Sequence, residues 1–152
     1  MDYHFVARAK FEEMIHRREF LEYAEVFGNL YGTPKTPVEA ALAAGKDVLM
    51  DVDVQGAMEL SRNRNSVFIF LLPPSMHVLE QRLMQRKTES EAQIQKRIAN
   101  ARHEMSYVKH YDYTIFNEDI NESIRLLKSI VRAERCRTSR NKESLSKLGF
   151  KG

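Results

Sequence analysis

The residues of this chain that are best suited to chemistry lie in EFLEYAEVFGNLYGTP, residues 19 to 34. The turn signal Gly28-Asn29 separates two runs that look like strands, which predicts a β-hairpin. Glu22, Tyr31 and Thr33 are polar side chains on its two arms. They either mark the solvent-exposed face of an ordinary hairpin or converge on a ligand.

A carboxylate in a pocket can distinguish the two purines. It accepts two hydrogen bonds from a guanine edge, one from N1–H and one from the exocyclic amine, whereas adenine presents an acceptor at N1. Glu22 would therefore select guanine. Tyr31, together with Tyr3 in the preceding DYHF, offers hydroxyls to a phosphate or a ribose. The alternative is that these tyrosines pack at the rim of the core.

Two acids, Asp51 and Asp53, end the apolar run in LMDVDVQG. The β-branched residues 47–54 predict a strand, and ligands of open α/β sheets bind outside the carboxyl ends of strands. An acid at that position commonly serves Mg²⁺ or a polar group of a substrate. The alternate polar residues could equally mark the exposed face of the strand.

A basic segment follows in the second half of the chain. Arg82 and Arg86 are four residues apart and could share one face of a helix. Guanidinium groups bind phosphate through two parallel hydrogen bonds, so this segment could bind phosphate groups. The other interpretation is a solvated basic face. The further basic residues of this segment are Lys87, Lys96 and Arg97.

The elements that must position these residues alternate between helix and strand. The patterns predict helices over 8–17, 36–45, 55–63, 75–84, 88–107 and 120–137, and strands over 47–54, 66–74 and 111–116. Thr36 and Thr88 are the predicted N-caps, with Glu39 and Glu91 closing capping boxes. This order predicts an α/β fold with a mainly parallel sheet and helices on both faces. Three strands are few for such a sheet, so part of it is expected to be missing.

Composition is that of a single globular domain of 152 residues. No apolar run reaches the ~18 residues of a membrane helix, and the one cysteine, Cys136, has no partner for an internal disulfide. A cytoplasmic location is expected. Residues 131–152 hold seven Lys or Arg against two acids, a local charge of +5. This basic tail predicts a solvated helix end that runs into disorder, or else a contact with nucleic acid.

Taken together and in order, several stretches resemble guanylate kinases, most closely the bacterial type. The matching stretches are DYHFV, EFLEYAEVFGNLYGTP, AGKDVLMDVDVQGA, LLPPS, RLMQRKTESEAQIQKRI, YDYTIFNEDI and IVRAERCR, which cover residues 2–137. The resemblance implies transfer of the γ-phosphoryl group of ATP to GMP with Mg²⁺. It also implies a P-loop nucleoside-monophosphate-kinase-like parallel sheet, a small GMP-binding β subdomain and a helical lid. The implied regions are 1–36 for GMP binding, 37–75 and 105–137 for the core, 76–104 for the lid and 138–152 for the basic tail.

The resemblance also implies roles for individual residues. Tyr3 and Tyr31 would contact the GMP phosphate, Glu22 and Thr33 the guanine, and Asp53 the GMP and metal side of the cleft. Arg86 and Arg97 would hold the ATP phosphates in the transition state, and Asn117 would lie near the adenine. No residue is expected to ligate the metal by itself. Where the family often has R-G-T in the lid, this chain has Arg86-Lys87-Thr88, which keeps the phosphate ligand.

The family opens with a buried strand and a Gly-rich P-loop, and the 152 residues contain no G-x-x-x-x-G-K-[ST]. The expectation is therefore a shortened chain, a fragment that binds GMP and ATP but is inactive alone. A non-catalytic binding module of the kind found in scaffold proteins is the alternative, and a small basic RNA-binding protein is a third. Membrane partners are not expected, nucleic acid is disfavoured, and a homo-oligomer stays open.

Overall fold

The computed structural model describes residues 4–26, 28–61, 66–85 and 90–150. Its backbone divides into two compact units, Met1–Phe68 and Ile69–Gly152. Some residues of the sequence predictions lie outside the described ranges, namely Tyr3, Arg86, Lys87 and Thr88.

The first unit begins with a helix and a hairpin, as the sequence predicts. The helix α1 covers Arg8–His16, and the strands β1 and β2 cover Phe20–Val26 and Asn29–Pro34. The strands pair antiparallel. Gly28 takes a φ of +84° at the turn, a conformation that glycine adopts without steric cost. The aromatic ring of Phe11 from α1 stacks on that of Phe20 with ring centroids 4.5 Å apart, which fixes the helix against the hairpin.

A second helix, α2, covers Lys35–Ala43. The prediction of Thr36 as its N-cap is wrong, because Pro34 occupies that position and no side chain caps the helix. The fixed φ of proline suits the extended N-cap conformation, so the helix can begin directly after the hairpin. Gly45 follows the last turn with a φ of +72°, so the predicted stop is confirmed.

The predicted strand over 47–54 is wrong. Residues 47–53 have no regular structure, Leu49 is 72% exposed, and Val54 already begins the helix α3, Val54–Leu60. An apolar, β-branched run forms a strand only when a neighbour completes its hydrogen-bond ladder and covers its faces. Among the described residues no strand pairs with this segment.

The second unit contains a parallel pair of strands. β3 covers Ile69–Leu72 and β4 covers Tyr113–Phe116, and Ile69 lies opposite Tyr113. Both strands are shorter than predicted, but their parallel pairing agrees with the predicted topology. Phe70 of β3 packs edge-on against the ring of Tyr111, and Ile115 of β4 is only 3% exposed.

Two helices stand between these strands in the chain, α4 over Met76–Gln85 and α5 over Glu91–Met105. They pack through a small apolar cluster formed by Leu83, Ile94 and Ile98 with Met76 and Leu79. A capping box does begin α5, but it joins Ser90 to Gln93. The predicted box that ends on Glu91 is therefore wrong, since Glu91 is the first residue of the helix.

The last long helix, α6, covers Ile120–Arg135 and is capped by Asp119, whose side chain accepts from the Glu122 backbone N–H at 2.8 Å. A 3₁₀ turn and a short helix, α7, follow over Thr138–Arg140 and Lys142–Lys147, and another 3₁₀ turn covers Val108–His110. The prediction that the basic tail is disordered is therefore wrong for these residues.

A buried carboxylate explains the order of the tail. Glu134 of α6, 6% exposed, accepts a hydrogen bond from the Tyr113 hydroxyl at 2.7 Å and pairs with the Arg137 guanidinium at 2.8 Å. Arg140 lies 3.7 Å from its second oxygen. These contacts hold the start of the tail against α6 and β4. None of the helices in the described ranges is both long and apolar enough to cross a bilayer.

Candidate nucleotide site

The centre of the candidate site is Glu22. Along β1 the buried positions alternate, with Phe20, Glu22 and Ala24 all less than 9% exposed. The strand period of two therefore places a carboxylate where a buried apolar residue is expected. Glu22 is only 5% exposed, so its charge has been largely removed from water. A buried acid needs hydrogen-bond donors, and its local contacts show how far the fold supplies them.

Thr33 supplies one donor from the neighbouring strand. The hairpin register places Thr33 directly opposite Glu22, and its Oγ1 donates to Glu22 Oε1 at 2.6 Å. The register begins where Val26 pairs with Asn29, so the predicted turn position of Asn29 is wrong: this residue is the first of β2. The contact is still determined locally within the hairpin. Tyr31 lies two residues before Thr33 on β2, opposite Ala24, and is 45% exposed. Its place on the same face of β2 as Thr33 follows from strand alternation.

The helix α3 forms the second wall of the site. Asp53 caps it, since Asp53 Oδ1 accepts from the Gly56 backbone N–H at 2.9 Å and Oδ2 accepts from Gln55 Nε2 at 3.2 Å. Gly56 is buried, and Glu22 Oε2 lies against the position that a side chain on Gly56 would occupy. The same position is 3.4 Å from Asp53 Oδ1. Hence the carboxylates of Glu22 and Asp53 both border one small space at the start of α3.

The electrostatics of this space are acidic. Burial raises the pKa of Glu22, the Thr33 hydroxyl opposes that rise, and the carboxylates of Asp53 and Glu59 add to it. Glu59, one turn further along α3, accepts weakly from the Tyr23 backbone N–H at 3.5 Å and so links helix and hairpin. No ion pair within the described ranges neutralises Glu22. The arrangement can therefore bind a ligand edge that presents N–H donors.

The other predicted site residues are placed as follows. Asp51 is exposed in the irregular segment and belongs to no helix or strand. Asn117 follows β4 in the second unit, where its backbone N–H donates to the Leu72 carbonyl at 2.7 Å and its Oδ1 accepts from Ser123 Oγ at 3.1 Å. Arg97 lies partly buried on α5. Tyr3 and Arg86 are outside the described ranges.

Two residues of the site were not predicted from sequence, Gly56 and Glu59. Asp is a favoured N-cap residue, so the sequence could have predicted that Asp53 begins a helix and bonds to the backbone N–H of Gly56. The approach of Glu22 to Gly56 has no such signal, because it joins residues that are far apart in the chain. In the part of the chain that the structure describes, no three acidic, histidine or cysteine side chains are grouped as a metal site would require.

Comparisons with known proteins give the family of the chain. The guanylate kinase family model matches residues 1–134. The chain is 43% identical over 151 residues to the guanylate kinase of Clostridium tetani, covering 97% of this chain and 73% of that protein. It is 44% identical to that of Clostridioides difficile, covering 93% of this chain and 70% of the relative. The solved guanylate kinase of Anaplasma phagocytophilum matches with a TM-score of 0.78 and 38% identity, over 91% of this chain and 68% of that one.

The fold and the matched length place this chain among α/β kinases that act on nucleotides. It belongs to the guanylate kinase family. The resemblance that the motifs predict is thereby confirmed. All of the relatives given above carry the name guanylate kinase, which favours the enzyme over a non-catalytic binding module or an RNA-binding protein.

Proposed function

We propose that this chain recognises GMP as the acceptor in phosphoryl transfer from ATP, the reaction that gives ADP and GDP. The observation that carries the proposal is Glu22, a carboxylate that is 5% exposed and holds a single side-chain donor, Thr33, among the described residues. The family of the chain supports the same reaction.

Guanine can supply the hydrogen-bond donors that the Glu22 carboxylate lacks. Guanine N1–H and the exocyclic amine donate to the two carboxylate oxygens, while the Thr33 hydroxyl holds Oε1 in place. Adenine would present its N1 lone pair to the same carboxylate. A buried polar group that is left unpaired costs about 1–3 kcal/mol, and more when it is charged, so the site rejects adenine by leaving Glu22 unsatisfied.

The remaining roles extend from this guanine site. Tyr31, two residues from Thr33, donates its hydroxyl to the GMP phosphate, and Tyr3 acts with it. Asp53 lies on the phosphate and metal side and keeps α3 in place through its bond to the Gly56 N–H. In the second unit, Arg86 and Arg97 neutralise the ATP phosphates and Asn117 lies at the adenine. Closure of the lid, residues 76–104, excludes water so that transfer occurs in line to GMP.

The metal enters this scheme with the nucleotide. Mg²⁺ is bound together with ATP as the co-substrate, and no protein ligand set is assigned. The cation neutralises phosphate charge when it is present.

The 152 residues contain no phosphate-cradling G-x-x-x-x-G-K-[ST] sequence. Loss of one electrostatic group of this kind commonly reduces a rate by about 10²- to 10³-fold. We therefore propose that these residues bind GMP without transferring phosphate on their own. A coupled assay for ADP with GMP and MgATP should show no turnover, whereas turnover at a typical kinase rate of about 1–100 s⁻¹ would overturn this part of the proposal.

Calorimetric titration of the 152-residue chain with GMP, IMP and AMP tests the guanine site. GMP should bind most tightly, IMP more weakly because it lacks the exocyclic amine, and AMP most weakly. Glu22→Gln should remove most of this order. Glu25→Gln is the matched control, because Glu25 lies exposed on the same strand and pairs with Arg8 at 3.6 Å. Equal affinity for GMP and AMP in the unmodified chain would refute the proposed site.

A further inference from the structure

Gly56 occupies an unusual place in the site. It lies buried inside α3, where glycine is among the least favourable residues. Its backbone does not require glycine, since it is not among the residues with positive φ. The reason for glycine must therefore lie in the space around it.

The carboxylate of Glu22 occupies that space. A Cβ built on Gly56 would overlap Glu22 Oε2, and it would lie 3.1 Å from the Glu22 carboxyl carbon. The atoms nearest to this Cβ belong to the carboxylates of Glu22 and Asp53, and none of them is a backbone atom. An added methyl group would therefore displace the Glu22 carboxylate, while α3 itself could stay in place.

We propose that Gly56 is a positioning residue for guanine selectivity: its missing side chain is the space that holds Glu22 Oε2. This inference rests on the proposed recognition of guanine by Glu22. The hairpin positions one carboxylate oxygen through Thr33, and the helix positions the other by leaving room for it. Both carboxylate oxygens of Glu22 must be held in place if they are to accept from guanine N1–H and from the exocyclic amine at the same time.

The substitution Gly56→Ala separates this role from a general effect on the fold. Alanine favours the helix, so the melting temperature should change little, but the displaced carboxylate should lose one charge-assisted bond to guanine. The ratio of GMP affinity to AMP affinity is expected to fall roughly 10- to 100-fold. Ser90→Ala is the control for a general loss of stability, because Ser90 caps α5 in the second unit and contacts no described residue of the candidate site. It should lower the melting temperature and leave the ratio unchanged in the folded protein.

Rescue by a shorter acid gives a second, stricter test. Glu22→Asp withdraws the carboxylate by one methylene, so it should lower the GMP to AMP ratio in the glycine background but much less, or not at all, in the Gly56→Ala background. Equal losses in both backgrounds would overturn the positioning role. If Gly56→Ala fails to fold, recovery of the fold in the double variant supports the overlap, and failure of both variants contradicts it.

A measurement without nucleotide distinguishes this inference from the function on which it rests. The Glu22 side-chain carboxyl can be titrated by carbon NMR in the unmodified chain and in Gly56→Ala. A shifted titration midpoint supports displacement of the carboxylate, and an unchanged midpoint overturns it. If the unmodified chain binds GMP and AMP equally, the proposed function fails. If it prefers GMP and Gly56→Ala keeps that preference, only the role of Gly56 fails.

Discussion

Replacement of Thr33 by valine tests the physical basis of the site most directly. Valine keeps the β-branched shape but removes the hydroxyl that donates to Glu22 Oε1 at 2.6 Å. A hydrogen bond to a charged group contributes about 1.5–3 kcal/mol net. Because Glu22 is only 5% exposed, water cannot readily replace the lost donor. The expected loss at pH 7 is therefore about 2 kcal/mol of the free energy of unfolding, or about 4–8 °C in melting temperature for a chain of this size.

The loss should depend on pH. The Thr33 hydroxyl is the largest influence that lowers the pKa of Glu22 against the effect of burial, so its removal raises that pKa further. When Glu22 is protonated the lost bond is a neutral one, worth about 1 kcal/mol. Urea unfolding of Thr33→Val and the unmodified chain should therefore differ more at pH 7 than below pH 4.5.

The control is Thr36→Val, since Thr36 is exposed in the first turn of α2. It should change stability by less than about 0.5 kcal/mol at either pH. An equal effect of Thr33→Val at both pH values, or no effect at pH 7, would refute the view that Thr33 stabilises an ionised Glu22.

Three further predictions concern other described residues. Because burial raises the pKa of Glu22, the folded state binds a proton more tightly than the unfolded one; stability should fall as pH rises from 4.5 through the folded pKa, and Glu22→Gln should remove that fall in pH-dependent melting. Tyr113→Phe, which deletes the 2.7 Å bond to Glu134, should cost about 1.5 kcal/mol and speed hydrogen exchange in α7. Ser90→Ala removes the capping box of α5 and should cost about 1 kcal/mol, measured by thermal unfolding.

The hairpin and its polar pair could be predicted because their determinants are local. Gly28, with its positive φ, lets the chain reverse, and the pairing of Val26 with Asn29 places Thr33 opposite Glu22. The contact between these two side chains is observed, while their roles toward guanine stay predictions. The helices α1, α4 and α6 likewise follow from apolar residues at helical spacing.

The failures share a cause that lies outside any local window. Residues 47–53 have the composition of a strand, but composition cannot supply a neighbour to complete the ladder. The charge density of the tail predicts disorder, but the ion pair of Arg137 with Glu134, which also accepts from Tyr113, holds its first residues against α6 and β4. The space at Gly56 has no local sequence signal either, since only the fold brings Glu22 to it.

The hairpin and the helix α3, which both contact Glu22, are expected to form their contacts in a definite order during folding. Glu22 and Thr33 are 11 residues apart and meet as soon as the hairpin closes, an event of about 1–10 μs. The contact between Glu22 and Gly56 closes a loop about three times as long as the one between Glu22 and Thr33. A longer loop closes at a greater entropic cost. The hairpin contact should therefore be present early in folding, and the helix should dock later against a preformed strand. Thr33→Val should slow folding, whereas Glu59→Ala, which removes a contact between α3 and β1, should mainly speed unfolding.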